Sequence, residues 1–111
     1  KNMEKIFTAA NFQTEAIEAS KTKPVLVDFF ATWCGPCQTQ GPIVEQVAEV
    51  MGEKAVVGKL DVDEAGEISG GFGVMSIPTI IILQNGVEVK RFVGVQDKAD
   101  LVAELNALIA K

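Results

Sequence analysis

Histidine is absent from the 111 residues. Its absence removes the Ser-His-Asp and Cys-His nucleophile pairs and the commonest general base. It also counts against a metal centre. The only two cysteines, Cys34 and Cys37, are half of the four ligands a structural zinc needs, and no histidine can complete the set. Cysteine is too scarce, and its two copies too close together, for a disulfide-stapled secreted domain. No long apolar run occurs. A stretch such as residues 77–83 is far short of the roughly 20 residues a membrane-spanning helix requires. No basic segment followed by an apolar run opens the chain, so no signal peptide is expected. The chain begins at Lys1 rather than Met, as it would if a preceding segment had been trimmed. Lys and Arg total 10 against 15 Asp and Glu, a net charge of -5. Without a basic block to neutralise phosphates, nucleic-acid binding is not expected.

What is present reads as one domain over residues 1–111, because a chain of this length supports one core. Hydrophobic residues make up 48% and charged residues 23%, a globular balance. The pattern predicts a strand over 3–7 and a helix over 9–20 with Thr8 as N-cap. A nearly unbroken apolar run over 25–31 marks a central strand buried on both faces. A long helix over 34–51 follows, with Val44, Val47, Ala48 and Met51 at helical spacing. Pro42 lies inside it and predicts a kink, and Gly52 ends it. A strand over 55–60 precedes a loop and short helix over 61–73. Strands over 79–83 and 87–92 flank Asn85-Gly86, the strongest short hairpin signal. A final helix over 97–110, capped by Asp97, buries Leu101, Leu105 and Leu108. The order βαβαβαββα implies an α/β fold. A five-stranded mixed central sheet is flanked on both faces by four helices.

Cys34 and Cys37 stand where a strand gives way to a helix. At i and i+3 of a helix, Cβ atoms are roughly 5–6 Å apart, so small adjustments open or close a disulfide. Cys34 falls at the N-cap, where first-turn N–H groups and the helix dipole favour a thiolate. That makes Cys34 the expected nucleophile. Cys37, a turn further in, is the expected resolving thiol and the more buried of the two. Pro36 has no N–H to offer but stiffens the first turn. The residues between the cysteines, Gly35 and Pro36, carry no charge to hold the thiolate strongly, so the pair is expected to donate electrons. Two plainer readings compete: half a zinc site, disfavoured by ligand count, and two structural core cysteines, disfavoured by the strand-to-helix context. Asp61, Asp63 and Gly66 match positions 1, 3 and 6 of a calcium loop, but Ala65 and Phe72 fall where acidic ligands belong.

The run Val25-Leu26-Val27-Asp28-Phe29-Phe30-Ala31-Thr32-Trp33-Cys34-Gly35-Pro36-Cys37 resembles the signature of the thioredoxin family. Pro42, Lys59, Ile77-Pro78-Thr79, Asn85-Gly86 and Gly94 recur at that family's spacings. The resemblance covers nearly the whole chain and implies the thioredoxin fold and a protein-disulfide reductase. Cys34 would attack a client disulfide and Cys37 would resolve the mixed disulfide. Partners would be disulfide-containing client proteins and a thioredoxin reductase that recycles the oxidised pair with NADPH, no cofactor being bound by the chain itself. A monomer in the cytoplasm is expected, or one in an organelle after removal of a transit segment.

Asp28 carries its own argument. A carboxylate in a buried strand is costly and tends to stay protonated. Its place before the motif suits a proton acceptor for Cys37, directly or through water. The plainer reading is an Asp at a strand end facing solvent. Lys59 is the natural charge partner, or else a surface lysine. The resemblance further implies a cis Ile77-Pro78 bond facing the cysteines, where sequence alone would give trans. It also implies that the Ile77 backbone pairs with an extended client. Trp33, Gly35, Pro36, Ile77, Val93, Gly94 and Val95 would form an apolar docking rim around Cys34. Phe30, Gly41, Met75 and Ser76 depart from the residues usual in the family (Trp, Ala, Arg and Gly), and Gly41 should loosen the helix before Pro42. The rival functions are an oxidase or isomerase on the same fold, and a binding or chaperone module with incidental cysteines.

Overall fold

The computed structural model describes residues 3–110. Its sheet contains β1 (Lys5–Phe7), β2 (Val25–Phe30), β3 (Val56–Asp61), β4 (Thr79–Gln84) and β5 (Val87–Val93), in the spatial order β1-β3-β2-β4-β5. β3 runs parallel to both β1 and β2, whereas β4 is antiparallel to β2 and β5. Among the described residues the α-helices are α1 (Gly35–Met51), α2 (Gly66–Gly71) and α3 (Lys98–Ile109), with an irregular first helical segment before β2 and a 3-10 turn at Gly52–Lys54 after α1. None of them is long and apolar enough to cross a membrane.

The apolar run of β2 occupies the middle of the sheet because both its faces are covered. Leu26 packs with Val44, Val47, Ala48 and Met51 of α1 and Leu101 and Leu105 of α3 on one face. Val25, Val27 and Phe29 pack with Phe7, Phe12, Ala16 and Ala65 on the other. Period-2 alternation therefore puts Asp28 on the α1 face, two residues from Leu26. Gly58 of β3 is required by the approach of β1. A Cβ there would lie 2.6 Å from the Phe7 ring and 2.7 Å from the Lys5 carbonyl oxygen.

Several expectations need correction. The helix predicted over 9–20 is a π-helix at Gln13–Glu18 followed by a 3-10 turn at Ala19–Lys21. Thr8 is the N-cap, as expected. Its hydroxyl accepts from the Asn11 N–H at 3.1 Å, and the Asn11 side chain accepts from the Thr8 N–H at 2.8 Å. These reciprocal bonds start the helical path, and the Phe12 N–H to Thr8 carbonyl and Glu15 N–H to Asn11 carbonyl bonds, at 3.0 and 2.8 Å, carry it into the π-helix. Leu108 is half-buried against the core rather than buried, because α3 ends one residue later, at Ile109. β2 stops at Phe30. The Asn85-Gly86 turn forms as predicted, with φ of 57° and 84°.

Candidate functional site: a cysteine pair between a helix end and a buried carboxyl

Cys34 leaves the loop after β2 in an extended conformation and is the N-cap of α1. It is joined to Cys37 in a disulfide with Cα atoms 5.3 Å apart. Its sulfur accepts from the Cys37 backbone N–H at 3.2 Å, the first-turn donor expected from the motif's place. The same sulfur lies 3.8 Å from the Ile77 carbonyl oxygen. A disulfide sulfur has no proton, so this is a packing contact that becomes available for donation on reduction.

The expected difference in burial is not present. Cys34 is 4% exposed and Cys37 6%, because the closed disulfide packs both sulfurs against Ala31, Phe30, Val62 and Ile77. Asymmetry resides instead in what each cysteine faces. Cys34 has the Cys37 N–H and the Ile77 carbonyl. Cys37 lines a cavity of about 290 Å³ together with Asp28, Phe30, Pro42 and Lys59. That volume admits several waters.

Asp28 is 1% exposed, and its Oδ1 has no hydrogen-bond partner. Burial first, and then the nearby Glu4 charge, push its carboxyl from the ordinary 3.8 up to about 7, against the lowering pull of Lys59. Glu4 is itself raised by burial, with Lys59 opposing and Glu45 adding. Lys59 is level with Asp28 across the β2–β3 pair. The expected pairing is nevertheless indirect. Among the described residues no ion pair joins the two, and the Lys59 ammonium lies 5.4 Å from the centre of the Phe30 ring. The half-buried ammonium is held over a π face rather than against the carboxyl.

The Ile77-Pro78 bond is cis. Around the pair, Trp33 is 69% exposed, Val93 63% and Val95 43%. Gly35 and Pro36 are exposed, Ile77 and Gly94 half-buried, and Pro78 buried. The Gly94 N–H donates to the Pro78 carbonyl at 2.9 Å, which ties the two rim loops together. Trp33 is anchored by its indole N–H, 2.7 Å from an Asp63 oxygen. Asp61 and Asp63 therefore serve as turn and anchor. The Asp61 side chain accepts from the Asp63 N–H at 2.9 Å. Among the described residues no group of three or more metal-ligating side chains occurs.

Two neighbours escaped the sequence reading. Met75, noted only as a departure, is 95% exposed and shares a cavity of about 240 Å³ with Trp33, Val74 and Ile77. Gln40 is fully buried on α1. It falls three residues after Cys37 and four before Val44, on the buried stripe itself, so helical spacing could have found it had polar residues been admitted.

Comparison with known proteins gives a consistent result. The family model described as Thioredoxin matches residues 4–107. A thioredoxin of Alicyclobacillus acidocaldarius subsp. acidocaldarius is 50% identical over 98 residues, covering 88% of this chain and 90% of the relative. A thioredoxin of Listeria monocytogenes is 42% identical over 107 residues, covering 96% and 100%. A bifunctional thioredoxin reductase/thioredoxin of Mycobacterium leprae is 45% identical over 102 residues, covering 92% of this chain and 22% of that protein. The solved structure of the Malassezia sympodialis thioredoxin superposes with a TM-score of 0.84 at 30% identity, covering 98% of this chain and 93% of the other.

Proposed function

The chain belongs to the thioredoxin family and is a protein-disulfide reductase, and from that premise we propose that Cys34 is its attacking sulfur, Cys37 its resolving sulfur and Asp28 the proton acceptor for Cys37. The reduced Cys34 thiolate attacks one sulfur of a client disulfide. A new S–S bond forms as the client bond breaks, and the departing client sulfur takes up a proton. Cys37 then loses its proton to Asp28 through water in the shared cavity, and its thiolate attacks the Cys34 sulfur. The second client thiol leaves, and the Cys34–Cys37 disulfide remains. Two electrons have passed to the client.

The observation that carries this assignment is the pair's placement. Cys34 is at the positive end of α1 with an N–H on its sulfur, where a thiolate is stabilised. Cys37 shares a cavity with a carboxyl near neutrality, which is suited to taking a proton at physiological pH. Lys59 acts in this scheme on the charge of Asp28 across the cavity, not by direct contact.

The proposal extends to the surroundings. Trp33, Gly35, Pro36, Ile77, Pro78, Val93, Gly94 and Val95 form the rim on which an extended client segment docks, with the Ile77 backbone as its pairing edge. A thioredoxin reductase drawing on NADPH restores the dithiol, and the chain itself binds no cofactor. The Mycobacterium leprae relative, whose name joins both activities, supports this pairing. Action as a one-domain monomer in the cytoplasm belongs to the same reading. Cys37→Ser tests the roles. With a disulfide client it should accumulate a mixed disulfide at Cys34, seen by peptide mass spectrometry. No adduct at Cys34, or undiminished turnover, rejects the assignment.

A further inference from the structure

A buried primary amide has two donor hydrogens and an acceptor oxygen to satisfy. Gln40, 0% exposed on α1, directs both sides of its amide at one residue of a neighbouring loop. Its Nε2 donates to the Gln96 carbonyl at 3.0 Å, and its Oε1 accepts from the Gln96 N–H at 2.7 Å. The backbone of Gln96 is thus paired much as a strand pairs with its neighbour. The Gln96 side chain donates back to the Gly94 carbonyl at 3.2 Å, and the Gly94 N–H is bonded to Pro78. The loop that leaves β5 through Gly94 and Val95 is therefore fixed at one end to the cis-proline segment. At its other end it is fixed to the helix that carries both cysteines.

An apolar side chain would fill this place on the α1 stripe equally well, but it could not set the register of a loop backbone. Register matters here because Gly94 has φ of +92°, in a region where glycine has many alternatives of similar energy. We propose that Gln40 is a positioning residue for client recognition. It locks the loop over residues 94–96, which leaves the end of β5 at Val93, to α1, so that Val95 is held in a constant place relative to Val93 and Cys34 when a protein client docks. A small disulfide, which needs only the sulfurs, does not use this lock. The inference rests on the reading of that loop as part of the docking rim.

The test compares the wild-type protein with Gln40→Met, which keeps the length of the side chain and removes both bonds. Gln40→Leu serves as a second variant should either fold poorly. The readouts are KM and kcat for insulin reduction, the rate with the small disulfide 5,5′-dithiobis(2-nitrobenzoate), and hydrogen exchange at the Gln96 N–H. Loss of a buried backbone bond should speed that exchange about tenfold and raise KM for insulin about fivefold, with kcat and the small-disulfide rate within about twofold. Unchanged exchange would mean the lock does not hold the loop. Faster exchange with unchanged KM would mean the loop's register does not matter for clients. Equal slowing on both disulfides would mean Gln40 acts on the sulfurs or the fold. Each of these three results overturns the proposal. A wild-type protein that fails to reduce insulin at all overturns the underlying reading instead, and does so before any variant is made.

Discussion

Replacing Asp28 by Asn should change the sign of its effect on stability as pH rises. In the native protein the Asp28 carboxyl titrates near 7, against 3.8 when unfolded. Below the lower value the group is protonated in both states and contributes nothing to pH dependence. Between the two values the native state binds more protons than the unfolded chain, so stability falls as pH increases. Above about 7 the full deficit remains, on the order of 4 kcal/mol by linkage. Asn cannot ionise and escapes this loss. It does put an amide in place of a carboxyl group whose Oδ1 has no partner, and an unsatisfied buried donor costs about 1–3 kcal/mol. The variant should therefore be the less stable protein at pH 4 and the more stable one at pH 8.5, by roughly 1–3 kcal/mol. Urea unfolding followed by circular dichroism, on the oxidised form of both proteins, measures the difference across that range. Using the disulfide form removes the thiols from the titration. Two stability curves that run parallel from pH 4 to 8.5 would refute a buried, ionisable Asp28.

Other perturbations probe the same interior. Glu4→Gln removes a charge that raises the Asp28 carboxyl, and Lys59→Met removes one that lowers it. The first should end the fall in stability at lower pH and the second at higher pH, the onset near 3.8 being unchanged; shifts in the same direction would contradict the charge arrangement. Gly58→Ala forces a Cβ to within 2.7 Å of the Lys5 carbonyl oxygen and should destabilise the fold by about 1–3 kcal/mol through overpacking. An unchanged urea midpoint would show that β1 yields without cost.

The parts of the fold that were legible in the sequence are those set by local pattern. The run that became β2, the Asn85-Gly86 turn, the Asp97 cap and the cysteine-bearing start of α1 each express one strong local preference. Asp97 accepts from the Asp100 N–H at 2.9 Å, as its type and place suggest. In the first helical segment the Thr8 cap follows from residue type and place, whereas the π geometry from Gln13 depends on contacts that no periodicity carries. The cysteines show a related limit. Motif and position indicate which sulfur is at the helix end, but burial depends on the disulfide being closed and on Ile77 arriving from a distant loop. Gln40 lies on an otherwise apolar stripe, and its amide has meaning only once Gln96 is beside it. Lys59 is level with Asp28 across the β2–β3 pair, which strand pattern alone does not set, and the placing of its ammonium over Phe30 is a three-dimensional result.

Disulfide reduction by the Cys34–Cys37 pair is read out without intermediaries by reduction of insulin in the presence of dithiothreitol. Wild-type protein in catalytic amounts should accelerate precipitation of the insulin B chain well beyond dithiothreitol alone, and Cys34→Ser should abolish the acceleration. A wild-type rate equal to the reagent blank, or a Cys34→Ser variant as active as the parent, would contradict it.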